Sequence, residues 1–432
     1  MSKSTGVPSA TANRSYRDVL RNKRVAGLLL GDLLANIGTG MIIVAMPVQT
    51  LRIHGRIPPA IAIGMVEAAP FILSTVVALG IGLGRVRIPP RTLLIADCVL
   101  RALTFTGLGL AAVTGRLSLS LLIGGLLLGA ACRMAAAGSR RLLATSMAEE
   151  PERYGVNALL GLNGNVALYV LGPVAGGLLV AAGGPGVVLF ADACGALLLL
   201  ACVLRWVPRT GAHAETGTGT AEARTAGTAA PTDSADARQD ESGWRILRRR
   251  PVAARLLVVV FFFNFLYMPI EVALPLYVQG TLHSGASGLG LLWGALGAGA
   301  IAGAALVNLM RGLPQRHLLV AIIGLWALCP IALAAVDDLT AAMIVFALGG
   351  LVWAPFTPVS YSFLQSGLRP SEQQPVVTLW TTGSALAAPL GLVAGGPLIQ
   401  LTGTGTGLVV SGLLTLLLVP IAAVSVLKRG VR

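Results

Sequence analysis

Two stretches decide how this chain is built: NIGTGMIIVAMP at residues 36–47 and NFLYMPIEVALP at residues 264–275. In each an Asn precedes a Pro by eleven positions, and the Pro ends a Val-Ala-x-Pro, Val44-Ala45-Met46-Pro47 in one and Val272-Ala273-Leu274-Pro275 in the other. A second pair lies at nearly the same offset. Gly172-Pro173-Val174-Ala175-Gly176-Gly177 matches Gly391-Leu392-Val393-Ala394-Gly395-Gly396 at five of six positions. Chance likeness among helices rich in Ala and Gly would explain either match alone. Both together, on either side of a polar connector, point to two like-oriented repeats.

Outward from these motifs the chain is apolar almost throughout. Only 12% of its 432 residues are charged and 55% are hydrophobic, with a mean hydropathy of +0.79. A water-soluble domain carries about 25% charged residues, so this is a membrane protein. Apolar runs broken by Arg, Pro or Gly, read at about 20 residues per crossing, predict twelve helical spans. Six lie at 25–51, 60–83, 91–114, 118–137, 156–182 and 186–206, and six at 252–280, 286–310, 317–336, 339–365, 375–401 and 406–427. No polar segment between them exceeds about 45 residues, too few for an extramembrane catalytic domain.

The domain plan is therefore a segment at 1–24, a six-helix bundle at 25–207, a linker at 208–250, a second bundle at 251–427 and a tail at 428–432. The linker, rich in Thr, Ala, Gly, Asp and Glu, has no periodic apolar face and is expected to be disordered. Its end, Trp244-Arg245-Ile246-Leu247-Arg248-Arg249-Arg250, reads as interfacial. Lys and Arg settle the orientation. With the N-terminus inside, 27 fall on the cytoplasmic side and three (Arg52, Arg56, Arg116) outside, which puts both termini and the linker in the cytoplasm. The basic start resembles a signal-peptide n-region, but the apolar run after it is too long and lacks a cleavage site, so it reads as a retained anchor.

Topology thus accounts for the net charge of +14, and nucleic-acid binding is not expected. The abundance of Ala, Gly and Arg suggests a GC-rich bacterial genome and hence the bacterial cytoplasmic membrane. The five Cys (Cys98, Cys132, Cys194, Cys202, Cys329) lie in apolar runs and read as small buried hydrophobes. The four His are dispersed, without metal-ligand spacing, and no Walker-type loop occurs, so neither a metal, a cofactor nor direct ATP use is expected.

With these motifs in order, the chain resembles the major facilitator superfamily over residues 20–428. The likeness is to bacterial exporters of the macrolide-efflux and enterobactin type, whose first span runs to an Ala-x-Pro and whose fifth carries Gly-Pro-x-x-Gly-Gly. Glu67-Ala68-Ala69-Pro70-Phe71, Leu94-Ile95-Ala96-Asp97 with Arg101, Asn157-Ala158-Leu159 and Leu274-Pro275-Leu276-Tyr277-Val278 fit the same order. The resemblance implies two bundles rocking around a central cavity, usually in proton-coupled antiport. It also implies a gating loop after the second span, of which Gly80 and Arg85 are present while Gly84 stands where an Asp is usual. Relatives often have an acidic residue after the Gly of the first span. Thr39 occupies that place, so coupling here is relocated or absent.

A charge at the bilayer centre costs about 2.5 to 3.5 kcal/mol on insertion scales, so intramembrane ionisable residues lead the search for a site. Asp32, Asn36 and Thr39 share one helix face, as do Glu67, Phe71 and Ser74, and a third stripe joins Asn264, Tyr267 and Glu271. These faces are expected to line the cavity. Glu67 or Glu271 would exchange a proton or pair with a cationic substrate. Arg133 needs an anionic partner, expected to be Glu67 or Asp32. For each the alternative is a fixed ion pair or hydrogen bond that only holds helices together, and Asp32 lies closest to the interface. Asp97 and Arg101, one turn apart, are expected to pair locally and dock the gate; Asp192, taken as lying near an outer helix end, receives no role.

Gly172, Gly176 and Gly177 permit close backbone approach, and Pro173 frees the carbonyl of residue 169 and bends the fifth helix. In resembling antiporters this motif shapes the seal between bundles; simple tight packing is the alternative. Asn165 and Tyr169, upstream on the same face, are placed toward the substrate. Trp293, Trp353, Trp380 and Tyr361 are available to stack on a ligand but fit packing or interfacial anchoring better.

The expectation is an all-α, twelve-helix transporter acting as a monomer, which exports an amphipathic small molecule in exchange for protons. The runner-up is a metabolite importer or uniporter, and a reading of another class is a non-transporting scaffold or sensor.

Overall fold

The computed structural model describes residues 16–82, 88–208, 243–307 and 309–427. Most of the linker, the tail and Arg85 lie outside them. Among the described residues, twelve helices are long and apolar enough to cross a membrane. The first three spans are Lys23–Ile53, Pro59–Gly82 and Pro90–Val113; the fourth consists of Leu119–Gly129 and Arg133–Ser146. The fifth is Arg153–Val166, a π turn at Ala167–Leu171 and Gly172–Gly183, and the sixth is Pro185–Trp206. Pro251–Gly280, Ala286–Leu306 and Gln315–Ala334 follow, then a tenth span of Leu339–Trp353 and Phe356–Ser366, and finally Pro370–Thr402 and Thr404–Leu427.

Local chemistry sets the ends. The Asn22 side chain accepts from the amides of Arg24 and Val25, Ser118 from Leu121, and Asp338 from Ala341, each satisfying donors that a first helical turn leaves free. Pro begins several helices, where its missing N–H costs nothing.

The duplication seen in the motifs recurs in three dimensions. The first span packs on the fifth and sixth and the third on the sixth; correspondingly, the seventh packs on the eleventh and twelfth and the ninth on the twelfth. Spans four and ten both break partway, at 130–132 and 354–355. In the tenth, Pro355 supplies the break. The one mismatch between the two glycine motifs also has a structural counterpart. Span eleven, with Leu392, runs unbroken, whereas span five, with Pro173, contains the π turn. Pro173 cannot donate to the residue 169 carbonyl, and the Gly172 amide reaches back to the Ala167 carbonyl instead.

The bundles meet through two symmetry-related pairs, the second span with the eleventh and the fifth with the eighth. Backbone packs directly on backbone there. A methyl group on Gly64 would meet the Leu392 carbonyl oxygen at 2.5 Å, and one on Gly177 would meet the Ala286 carbonyl oxygen at 2.6 Å. Gly290 and Gly297 approach the Pro173 and Tyr169 carbonyls similarly. These contacts lie in the half of the helices remote from the linker. No side-chain hydrogen bond or ion pair among the described residues crosses this seam.

In the linker-side half, Gly138, Gly161, Gly164 and Gly383 have open space beside them and Asn165 is exposed. The bundles are therefore joined by backbone contacts in the far half, and on the linker side Gly138 and Gly161 border an open cleft. Seven residues before the seventh span, Gly243–Arg249, form a short helix that buries Ile246 and Leu247 against span eleven and leaves Trp244 exposed. Four Cys are buried or half-buried as expected, but Cys194 is exposed. It points away from both bundles' interiors.

Candidate functional site

The interior charges separate into two groups. One lies wholly inside the amino-terminal bundle, where Asp32, Asp97 and Asp192 are balanced by Arg101, Arg133 and Arg140. The other consists of Glu67 on the second span and Glu271 on the seventh, from opposite bundles.

In the first group Arg101 does not pair locally with Asp97, as the sequence suggests. Its guanidinium turns to Asp192 on the sixth span, with Nε donating to Oδ2 at 2.8 Å and Nη2 donating to Oδ1. Nη2 also reaches the Ala35 carbonyl at 3.1 Å and the Thr39 hydroxyl at 2.7 Å. Asp192 is fully buried. It therefore supplies, from another helix, the negative charge absent at position 39. Asp97 is also buried, and its Oδ1 has no hydrogen-bond partner among the described residues.

Arg133 likewise departs from expectation, because the partner proposed for it is taken. Asp32 accepts from Arg140 Nη1 at 2.6 Å and from Asn36 Nδ2 at 3.1 Å. Arg133 forms no ion pair with Glu67 or Asp32 among the described residues. Sequence reasoning missed Arg140 because the apolar run ends near residue 137, while the helix continues to Ser146 with its polar face turned inward. Asp192 was misjudged by depth. It sits seven residues into its helix, about 10 Å at 1.5 Å per residue, which that arithmetic would have shown. Asp32, Asn36, Arg140 and Arg141 line a cleft of about 380 Å³ with Ala137, Gly138, Leu160 and Gly161.

The second group sits between the bundles. Glu67 and Glu271 are both half-buried, and each lies within electrostatic range of the other. Tyr267 lies one turn before Glu271 on the same helix. The Tyr267 ring is held between two indoles, stacked on Trp326 at 5.3 Å and on Trp353 at 5.6 Å between centroids. Tyr169, carried by the π turn of span five, meets Trp353 edge-on at 6.5 Å. Trp326 and Tyr267 are buried and form the back of this box, whereas Trp353 and Tyr169 are half-buried at its rim.

The remaining predicted residues distribute as follows. Asn264 turns its amide to the Val260 carbonyl of its own helix at 2.8 Å. Asn165 is exposed on the linker side of Tyr169. Ser74 donates to the Pro70 carbonyl and Phe71 is 40% exposed, so the second-span stripe keeps only Glu67 at the bundle interface. Gly172 and Gly176 pack against Gly40 and Met41 of span one, within the bundle, whereas Gly177 and the Pro173 carbonyl meet span eight. Gly80 borders open space, while Arg85 and Gly84 fall outside the described residues. Trp293 packs on Phe346, and Trp380 on Tyr361. Trp326, which the sequence reading did not single out, carries no sequence signal beyond being a Trp in an apolar run.

Comparison with known proteins bears on the whole architecture. Among solved structures, the chain is similar to the nucleoside transporter NupG, with a TM-score of 0.73 and 11% identity over 94% of this chain and 100% of that one. It is also similar to a bacterial homolog of the human lysosomal transporter Spinster in an inward-facing, unoccupied conformation, at TM-score 0.65 and 15% identity over 96% of each chain. A third likeness is to an auto-inhibited POT family peptide transporter, with TM-score 0.68 and 12% identity over 95% and 98%. At such identities the likeness is one of fold. No curated protein sequence matches the chain significantly. The sequence profile of the Major Facilitator Superfamily matches residues 28–313, well over half the length. With its twelve spans, like-oriented halves and central interface, the chain is a membrane transporter rather than an enzyme and belongs to the Major Facilitator Superfamily.

Proposed function

We propose that this secondary transporter exports amphipathic small molecules across the bacterial cytoplasmic membrane in exchange for protons, with both termini and the linker in the cytoplasm. One observation carries the reading. Glu67 and Glu271 come from opposite bundles, both are half-buried within their spans, and neither forms an ion pair among the described residues. A carboxylate without a basic partner is costly inside the membrane. Protons or a cargo must neutralise them, and alternation between the two is the logic of exchange. The far-face seam and the opening toward the linker fit one end state of alternating access.

A buried Arg101–Asp192 pair and an Asp32–Arg140 pair are already satisfied, so in this reading they hold the amino-terminal bundle together and leave coupling to the glutamates. Gly177 with Gly290, and Gly64 with Leu392, form the far-side seal. A second reading, uptake or uniport, draws on Thr39: where the resemblance has an acid, a neutral hydroxyl is bound to Arg101. The discriminating experiment is transport by the purified chain in vesicles with an imposed proton gradient. Gradient-dependent efflux of a member of a broad amphiphile panel, lost in Glu67→Gln or Glu271→Gln, is expected. Downhill movement that ignores the gradient would favour uniport.

A further inference from the structure

The residues that lead into the seventh span divide cleanly between two sides. On a helix, Gly243, Ile246, Leu247 and Arg250 fall in one half of the turn and Trp244, Arg245, Arg248 and Arg249 in the other. Burial follows the same division. Ile246 and Leu247 are buried, Gly243 and Arg250 are half-buried, and the other four are exposed. The inner side is docked on span eleven: a methyl group on Gly243 would meet the Pro375 carbonyl oxygen at 2.7 Å, and Arg250 pairs with Glu372 at 3.1 Å. The outer side carries an indole that is 67% exposed and three guanidinium groups, with no acid among its four residues. Asp240 and Glu241 precede the helix, outside the described residues, and the stretch 240–250 remains net basic even with them.

Depth decides what this face can meet. Span seven is 30 residues long and extends about 45 Å at about 1.5 Å per residue, the full thickness of a bilayer with its headgroups. The short helix ends at Arg249, just before that span begins at Pro251, so it lies at the level of the lipid phosphates. Its contact with Pro375, near the start of span eleven, agrees. An indole is favoured at this boundary, where its ring leaves water and its N–H stays hydrated. Guanidinium groups present several donors at once to a phosphate, and Arg245 and Arg248, three residues apart, are neighbours on the helix surface. An acidic protein would account for the arginines, but not for an indole set beside them at the edge of the hydrocarbon.

We infer that the outward face of Gly243–Arg249 binds the headgroup of an anionic phospholipid, its phosphate held by Arg245 and Arg248 and its acyl chains beside the Trp244 ring. Because the inner side is committed to span eleven, a lipid held here fastens the starts of spans seven and eleven to one leaflet together. The inference rests on the chain crossing a membrane and is independent of what it carries.

The full-length chain in vesicles tests it. Phosphatidylcholine vesicles with a minority of phosphatidylglycerol are made in two forms, with the same fraction of all lipids brominated, once on the anionic species and once on the zwitterionic one. Bromine quenches a nearby indole, and the difference between the parent and Trp244→Phe isolates Trp244 from the other Trp residues. Quenching of Trp244 is expected to be stronger by about threefold or more with bromine on the anionic lipid. Arg245→Gln combined with Arg248→Gln, both at exposed positions, should bring that ratio to about one with an unchanged circular dichroism spectrum.

Equal quenching by the two lipids in the parent would overturn the inference, as would a ratio that the folded double variant retains. Trp244 quenched by neither lipid would place this face against water or a protein and overturn it as well. Glycerol 3-phosphate, which brings the charge without the chains, should leave the ratio unchanged; if it abolishes the ratio, the arginines hold free phosphate and the lipid assignment falls.

Discussion

Arg101 on the third span and Asp192 on the sixth are joined through two guanidinium nitrogens and both carboxylate oxygens, in an interior that leaves the aspartate no exposure. The same guanidinium holds the Ala35 carbonyl and the Thr39 hydroxyl of the first span, so one side chain ties three helices. Breaking a buried pair by removing one partner strands the other charge, at about 3–5 kcal/mol. Arg101→Leu or Asp192→Leu alone should therefore lower the thermal midpoint in detergent sharply, and the two together should recover most of the loss. A double variant whose loss equals the sum of the two single losses would mean that the two charges do not depend on each other.

Tyr267 offers a gentler probe of the central site. Tyr267→Phe keeps the ring between Trp326 and Trp353 and removes only the hydroxyl, one turn before Glu271. A hydrogen bond to a charged group contributes about 1.5–3 kcal/mol, and each 1.4 kcal/mol is a factor of ten. Substrate affinity in transport should change by about tenfold or more, with little change in unfolding temperature. An unaltered concentration dependence would detach Tyr267 from the site.

Pro173 should matter through geometry. Pro173→Ala returns an amide able to bond the Tyr169 carbonyl, which favours a regular helix in place of the π turn at Ala167–Leu171. Tyr169 would then swing away from Trp353. The expected outcome is a well-expressed protein with transport reduced several-fold, and the change in aromatic environment should be visible in near-ultraviolet circular dichroism. Unchanged spectra would show that the turn does not depend on the proline.

Gly64 tests the seam. A Val there collides with the Leu392 backbone rather than with a flexible side chain, so Gly64→Val should disfavour closure of the far face. Gln279 lines the cleft of about 410 Å³ between the bundles on that face. With the native cysteines replaced, Gln279→Cys should react with a polar maleimide several-fold faster when Gly64→Val is also present. Equal rates would mean that the face opens regardless of this contact.

How far the sequence reveals all this depends on what is repeated and what is local. Apolar run length marks the spans to within a few residues, except for span four, where Arg140 and Arg141 hide nine further helical residues. The Val-Ala-x-Pro and Gly-rich motifs expose the duplication because close packing tolerates few alternatives at those places. Partners are another matter. Arg101 could have met Asp97 one turn away, but choosing Asp192 depends on how spans three and six are rotated against each other, which periodicity in a nearly uniform apolar helix does not encode. Glu67 and Glu271 stand out by rarity alone. The aromatic box around Glu271 does not, because it draws Trp326, Trp353, Tyr267 and Tyr169 from four separate spans.

The glycine-lined contact on the far face also bears on how easily the two halves part. Held by main-chain surfaces resting on one another, it has no ionic tether or side-chain clasp to unhook among the described residues before separation begins. Parting it forfeits only dispersion forces, and hydrocarbon or a neighbouring chain restores most of those. The preference for one orientation over the other is then open to change by whatever occupies the middle of the molecule.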